Sequence, residues 1–149
     1  MEPNQTGPNA VPADERMLAA LAHLSAILPY LGVIAPIIIY ATQREKSRYV
    51  AFQSLQAVVY QVVMLLLWLL VFLCYFLVFF GALFPSMARG ANPNNMDAAM
   101  IWPFLLICLV FVVWIAYGIY ALVAAYLTFQ GRDFRYVLIG DWTERMMNR

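Results

Sequence analysis

The chain has 149 residues, 64% of them hydrophobic and 11% charged, whereas a soluble domain carries about 25% charge; that balance excludes a water-soluble globule. A formal net charge of +1 without a long basic run excludes the phosphate-neutralising surface that nucleic-acid binding needs. Every charged side chain lies outside three uncharged runs, 17–43, 49–88 and 98–131, and about 20 apolar residues cross roughly 30 Å of hydrocarbon, so the chain is expected to be an all-α integral membrane helical bundle in contact with the lipid bilayer.

The opening MEPNQTGPNAVPADER is polar, proline-bearing and short of positive charge, unlike the basic start of a signal peptide. Residues 1–13 read as a flexible polar tail, 14–142 as a single membrane domain and 143–149 as a second polar tail. Asn4-Gln5-Thr6 matches a glycosylation triplet, a pattern with meaning only in a lumenal eukaryotic segment.

The first run begins with good helix formers, and Asp14 is available as a cap, but Pro29, Gly32 and Pro36 follow closely. Each proline removes a backbone donor and crowds the carbonyl four residues earlier. Two arrangements fit. One is a single kinked span, with the N-terminus outside. The other, which is preferred, is a proline-interrupted segment of two short helices, 14–28 and 33–42, with the N-terminus cytoplasmic. A broken segment persists at membrane depth only where protein or water satisfies its freed backbone groups. His23, the chain's one histidine, sits among Leu and Ala and reads as a packed, hydrogen-bonded residue; the functional alternative is a tuned intramembrane group.

The second run is longer than a membrane needs, and its hydrocarbon core is placed at 62–80. Before that core, Tyr49, Gln53, Gln56 and Tyr60 fall within one narrow arc of a helix turning about 100° per residue, with Gln61 beside them. Such a polar stripe either makes interhelical or headgroup hydrogen bonds or lines a hydrophilic vestibule. In the third run Trp114, Gly118, Ala121, Ala125 and Thr128 share a face, as expected of a helix-packing seam where small side chains let backbones approach; a pore lining is the alternative. Trp102 suits the headgroup zone at the outer end. Beyond Gly131, the spacing of Phe134, Leu138 and Trp142 amid charges predicts a short interfacial helix, made imperfect by Gly140. Cys74 and Cys108 lie within apolar runs, where a thiol packs as a small hydrophobe.

Positive charge fixes the expected orientation. Arg44, Lys46 and Arg48 lie between the first two runs and Arg132, Arg135, Arg145 and Arg149 follow the third, against Arg89 alone between the second and third. The 44–48 loop and the C-terminus are therefore expected to be cytoplasmic, with 85–97 on the other side and two long antiparallel transmembrane helices between, in a prokaryotic plasma membrane.

No catalytic constellation emerges: the sequence has no Cys/His metal spacing, no phosphate-cradling glycine loop and no serine nucleophile elbow. No ionisable Asp, Glu, Lys or Arg falls within a run, which argues against an ion pump. Neither enzymatic activity nor a cofactor is expected.

Residues 17–25 (MLAALAHLS), 34–40 (IAPIIIY), 48–57 (RYVAFQSLQA) and 131–136 (GRDFRY) together resemble the Tic-twenty-like family of small multi-spanning membrane proteins. The resemblance implies four membrane helices with both termini on one side. It also implies kinship with a component of the chloroplast inner-envelope import machinery, most bacterial relatives having no assigned activity. Residues 50–53 lack the histidine frequent in that family near the start of the second long helix, and no catalytic or ligand residue carries over. The function expected is a nonenzymatic scaffold or subunit of a membrane protein-handling or translocation assembly, with other membrane proteins or further copies as partners. The rival is an oligomeric small-solute channel or carrier.

Overall fold

The structure, a computed structural model, describes residues 11–28, 30–88, 98–137 and 139–147. The N-terminal tail up to residue 10, the glycosylation triplet, Arg89, Leu138 and the side chain of Trp102 fall outside it. All regular structure among the described residues is helical, in the order α1 (Ala13–Leu24), a 3-10 turn (Ser25–Ile27), α2 (Ile34–Gln43), α3 (Arg48–Ala88), α4 (Ala98–Phe129) and α5 (Gly140–Met147). The chain divides into two units, Met1–Val63 with Gly118–Arg149, and Met64–Tyr117.

In the first unit α1 opens behind Pro12, whose carbonyl accepts the Arg16 N–H at 3.0 Å. No side chain caps it; Asp14, expected as the cap, instead stands in the first turn with Glu15, where the helix dipole favours carboxylates. Ala19, Ala22 and His23 are its buried face. The Ser25 hydroxyl donates back to the Ala22 carbonyl at 2.8 Å, and the chain then turns through Tyr30, held at a φ of 63°. Gly32 closes the turn because nothing larger fits: a Cβ there would collide with the Ser25 carbonyl and lie 2.6 Å from that of Leu28 and 3.0 Å from Gln61 Oε1. Backbone carbonyls cannot swing aside as a side chain would, so Gly32→Ala should lower unfolding free energy by about 1 to 3 kcal/mol. Thermal unfolding in detergent checks this, and wild-type stability would show that the turn is not closed as described.

Ser47 starts α3 as a helix cap, its hydroxyl oxygen accepting the Val50 N–H at 3.3 Å and its carbonyl the Ala51 N–H at 3.0 Å, which satisfies donors that have no partner inside the helix. The same hydroxyl donates to Glu15 at 2.5 Å and so ties the start of α3 to the start of α1. At its other end α4 stops at Gly131, whose φ of 77° is costly for a residue with a Cβ. The Arg132 N–H reaches the Leu127 carbonyl at 3.1 Å and the Gly131 N–H that of Thr128 at 2.9 Å, the paired bonds of a Schellman cap.

Past this cap the interfacial helix expected across Phe134 and Trp142 does not form. Residues 132–136 are non-helical, and the helix begins only at Gly140. It runs on to Met147 with Thr143 buried.

In the second unit, α3 and α4 carry exposed apolar side chains along their length, among them Leu66, Phe72, Leu77, Phe104 and Leu109. The core helix of a soluble protein is mostly buried. Here the most apolar stretch of α3, within Arg48–Pro85, is 0% buried, and that of α4, within Pro103–Phe129, 6%. Two helices of this length and exposure are stable only with lipid around them. The protein is an integral, multi-spanning helical membrane protein. Cys74 and Cys108 are free and exposed on this apolar surface rather than packed inside.

Candidate functional site

The polar stripe at the start of α3 meets an extended segment of chain as well as α1 and the end of α4. Gln53 and Gln56 are fully buried, one turn apart on α3, and the Schellman cap at Gly131 sends residues 133–136 across them. Gln56 pairs with the backbone on either side of Arg135: its Nε2 donates to the Phe134 carbonyl at 3.0 Å and its Oε1 accepts the Tyr136 N–H at 3.0 Å. That two-point pairing is what a neighbouring β-strand would offer, and it helps to satisfy backbone groups that lie outside any helix. Gln53 Nε2 donates to the Phe134 carbonyl and to Asp133 Oδ1, both at 3.1 Å.

His23, buried on α1, completes the arrangement. Its Nε2 lies 3.2 Å from Gln53 Oε1 and its Nδ1 3.1 Å from the Tyr136 hydroxyl. Because the Gln53 oxygen can only accept, Nε2 carries the hydrogen and Nδ1 accepts from Tyr136. The hydrogen bonds then run one way, from Tyr136 through His23 and Gln53 to Asp133, joining α1, α3 and the returning segment. Aromatic rings enclose this line: Tyr60 stacks on Tyr136 at 4.2 Å between centroids, and Tyr120 and Phe134 meet Tyr136 edge-on at 5.1 and 4.9 Å.

The remaining stripe residues reach elsewhere. The Tyr49 hydroxyl donates to the carbonyls of Thr128 and Arg132, both at 3.1 Å, which holds the end of α4 beside the start of α3. Gln61 Nε2 donates to the Ser25 hydroxyl at 3.2 Å and so holds the α1–α2 turn. Of the seam residues, Ala121 and Thr128 are fully buried and Ala125 nearly so. Trp114 is exposed, and a Cβ at Gly118 would meet nothing within 4 Å. Ala121 is thus the first of these seam residues to be fully buried within one copy. Ala121→Leu should destabilise the protein by about 1 to 3 kcal/mol through overpacking, and Gly118→Leu should not. Paired thermal melts in detergent check this, and equal losses in both variants would overturn the distinction.

Beside the line of hydrogen bonds, a recess of about 340 Å³ is lined by Arg48, Tyr49, Phe52, Asp133, Arg135 and Glu144. Arg135 bridges Glu144 at 2.8 Å and Asp133 at 3.4 Å and lies 5.4 Å over the Phe52 ring. These are exposed pairs, which contribute little each. Among the described residues no cluster of three His, Cys, Asp or Glu could hold a metal ion.

Sequence reasoning did not single out Asp133 or Tyr136 or give Phe134 its place. The available signal was the alternation of charged and aromatic residues in Asp-Phe-Arg-Tyr, a period of two that marks an extended segment.

No curated protein and no solved structure matches the chain. A family model does match, over residues 14–143: the magnetosome magnetite crystal formation protein family, MamF_MmsF. That match overturns the Tic-twenty-like resemblance, which rested on four short and largely apolar segments of a kind that unrelated membrane helices share. Since it takes in nearly all of the described residues, the chain belongs to the MamF_MmsF magnetosome magnetite crystal formation protein family.

Proposed function

We propose that this protein is a nonenzymatic membrane scaffold in magnetite crystal formation, holding other membrane proteins or further copies of itself in the membrane where a crystal grows. The family's description supports the setting. The observation that carries the scaffold role is the burial of the polar groups: His23, Gln53 and Gln56 have no exposed surface and are spent on fixing the segment 133–136 rather than on facing a substrate. A fixed unit of this kind suits a docking platform. The protein-handling form of the idea leaned on the discarded resemblance and goes with it. A solute channel would need a wet polar lining, and the sealed stripe speaks against one.

Isolation from mild detergent, with identification of co-purifying chains, tests the proposal. A stable assembly of membrane proteins or of copies of the chain, without solute flux in liposomes, is expected. A lone monomer, or flux that Gln53→Leu abolishes without loss of folding, would overturn it. The orientation belongs to the same proposal: a cysteine at the exposed Glu45, in a background lacking Cys74 and Cys108, should resist an impermeant thiol reagent in intact cells. Labelling without lysis would reverse the assignment.

A further inference from the structure

We propose that the α1–α2 hairpin enters the hydrocarbon from one side, ends near its mid-plane and leaves by the same side. Its partner is then a single lipid leaflet, and the protein favours membrane that is convex on the side of the 44–48 loop.

Length is the first reason. Helices of 12 and 10 residues, α1 and α2, extend about 18 and 15 Å, half of what a crossing needs. The hairpin's depth can also be measured along α3. Its base is pinned at the start of that helix by the Ser47 to Glu15 hydrogen bond, and its turn is pinned by Gln61, which bonds Ser25 and approaches Gly32. From Arg48 to Gln61 is about 20 Å at about 1.5 Å per residue, or half of a bilayer with its headgroups. From Gln61, α3 runs on to Ala88, about 40 Å more, so the hydrocarbon starts before the 62–80 stretch expected from the sequence and α3 outruns the far half of the bilayer.

The chemistry of the two ends agrees with that depth. At the base lie Asp14, Glu15 and Arg16 on one limb and Arg44, Glu45 and Lys46 after the other. At the turn Leu28, Tyr30 and Leu31 are 61, 76 and 69% exposed. An apolar groove between the limbs, lined by Leu21, Leu24, Ile27, Leu28, Ile38 and Ile39, opens on the same surface. Water would oppose exposure of so many large aliphatic groups; acyl chains would not. Irregular backbone is tolerated in hydrocarbon only when its polar groups are satisfied. Here the N–H groups of Leu28, Gly32 and Ile34 bond the carbonyls of Ser25, Leu28 and Leu31 at 3.0 to 3.1 Å. The hydrocarbon also reaches the level of the hairpin: Tyr49 holds the end of α4 beside the start of α3, and the exposed face of α4 stays apolar through Ile119, Leu122 and Phe129.

Material inserted into one leaflet expands that leaflet alone, and bending toward it relieves the mismatch. Interfacial insertions are sensitive to curvature for this reason.

Two measurements on the full chain, in a background lacking Cys74 and Cys108, test the proposal. A nitroxide on Leu31→Cys in phospholipid vesicles should relax with dissolved oxygen and not with an aqueous nickel complex, at a depth near the mid-plane, while one on Glu45→Cys should show the reverse. An aqueous signature at Leu31, or depth at the far headgroups, would overturn the insertion. Next, an impermeant dye applied outside giant vesicles labels only copies whose Glu45→Cys faces out. In tethers drawn outward these copies should be enriched about twofold over the parent membrane, as expected of a curvature-sensitive insertion; equal density would overturn the preference for convex membrane. A solute channel would carry the same hairpin, so these results and those of the co-purification experiment can fail separately.

Discussion

Gln56→Leu is expected to loosen the segment 133–136 and to lower unfolding free energy by about 2 kcal/mol, more than the average of about 0.6 kcal/mol for a side-chain hydrogen bond between membrane helices. The difference lies in what Gln56 bonds. A glutamine that pairs with another side chain leaves behind a group that can find a new partner, whereas Gln56 serves the Phe134 carbonyl and the Tyr136 N–H. Both belong to the backbone and cannot turn to a new partner as a side chain can. Losing the partner of a buried donor or acceptor costs about 1 to 3 kcal/mol; here the acceptor that Gln56 gives the Tyr136 N–H is lost, while the Phe134 carbonyl keeps its bond from Gln53. Leu has nearly the shape of Gln, so packing alone should lose little. Trypsin offers an independent readout, since loosening of the segment would expose the backbone after Arg132 and Arg135 to cleavage. Wild-type stability together with wild-type proteolysis in Gln56→Leu would sink the interpretation of 133–136 as a strand held by side chains.

The long apolar helices were legible in the sequence because charge exclusion from a membrane is a strong, one-dimensional signal, and the arc of Tyr49, Gln53, Gln56 and Tyr60 was legible because helical periodicity is fixed by geometry. What that arc bonds was not. Periodicity says which residues share a face and nothing about what arrives there from another part of the chain, and the strand-like partner comes about 80 residues later. The segment read as helical because Phe134, Leu138 and Trp142 have the right spacing, but the left-handed turn at Gly131 and the two glutamines together outweigh that weak preference. The seam on α4 shows the same limit: Trp114, Gly118 and Ala121 lie on one face by arithmetic, yet their burial within one copy differs, Trp114 being exposed and Ala121 fully buried. Family membership was obscured for a related reason, since short apolar motifs with Ala, Leu and Ile recur wherever helices meet lipid.

His23 and Tyr136 should prove coupled in a double-mutant cycle. His23→Leu takes the acceptor from the Tyr136 hydroxyl and the donor from Gln53 Oε1, two buried groups at once, and is expected to cost about 2 to 4 kcal/mol. Tyr136→Phe removes the donor from Nδ1 and should cost about 1 to 2 kcal/mol. In the double variant, an apolar side chain at 23 faces the unsubstituted ring edge of Phe at 136, so the loss of the bond between the hydroxyl and Nδ1 is not counted twice. The combined loss should fall short of the sum by about 1 to 2 kcal/mol. Chemical unfolding of the four forms in one detergent gives the coupling directly. Strict additivity would mean that the two side chains act independently, and the one-way line of hydrogen bonds from Tyr136 to Asp133 would then have no first link. A coupling of the expected size would place α1 and the returning segment in one cooperative unit with the start of α3, since neither residue belongs to that helix and Gln53 is the group that joins them to it.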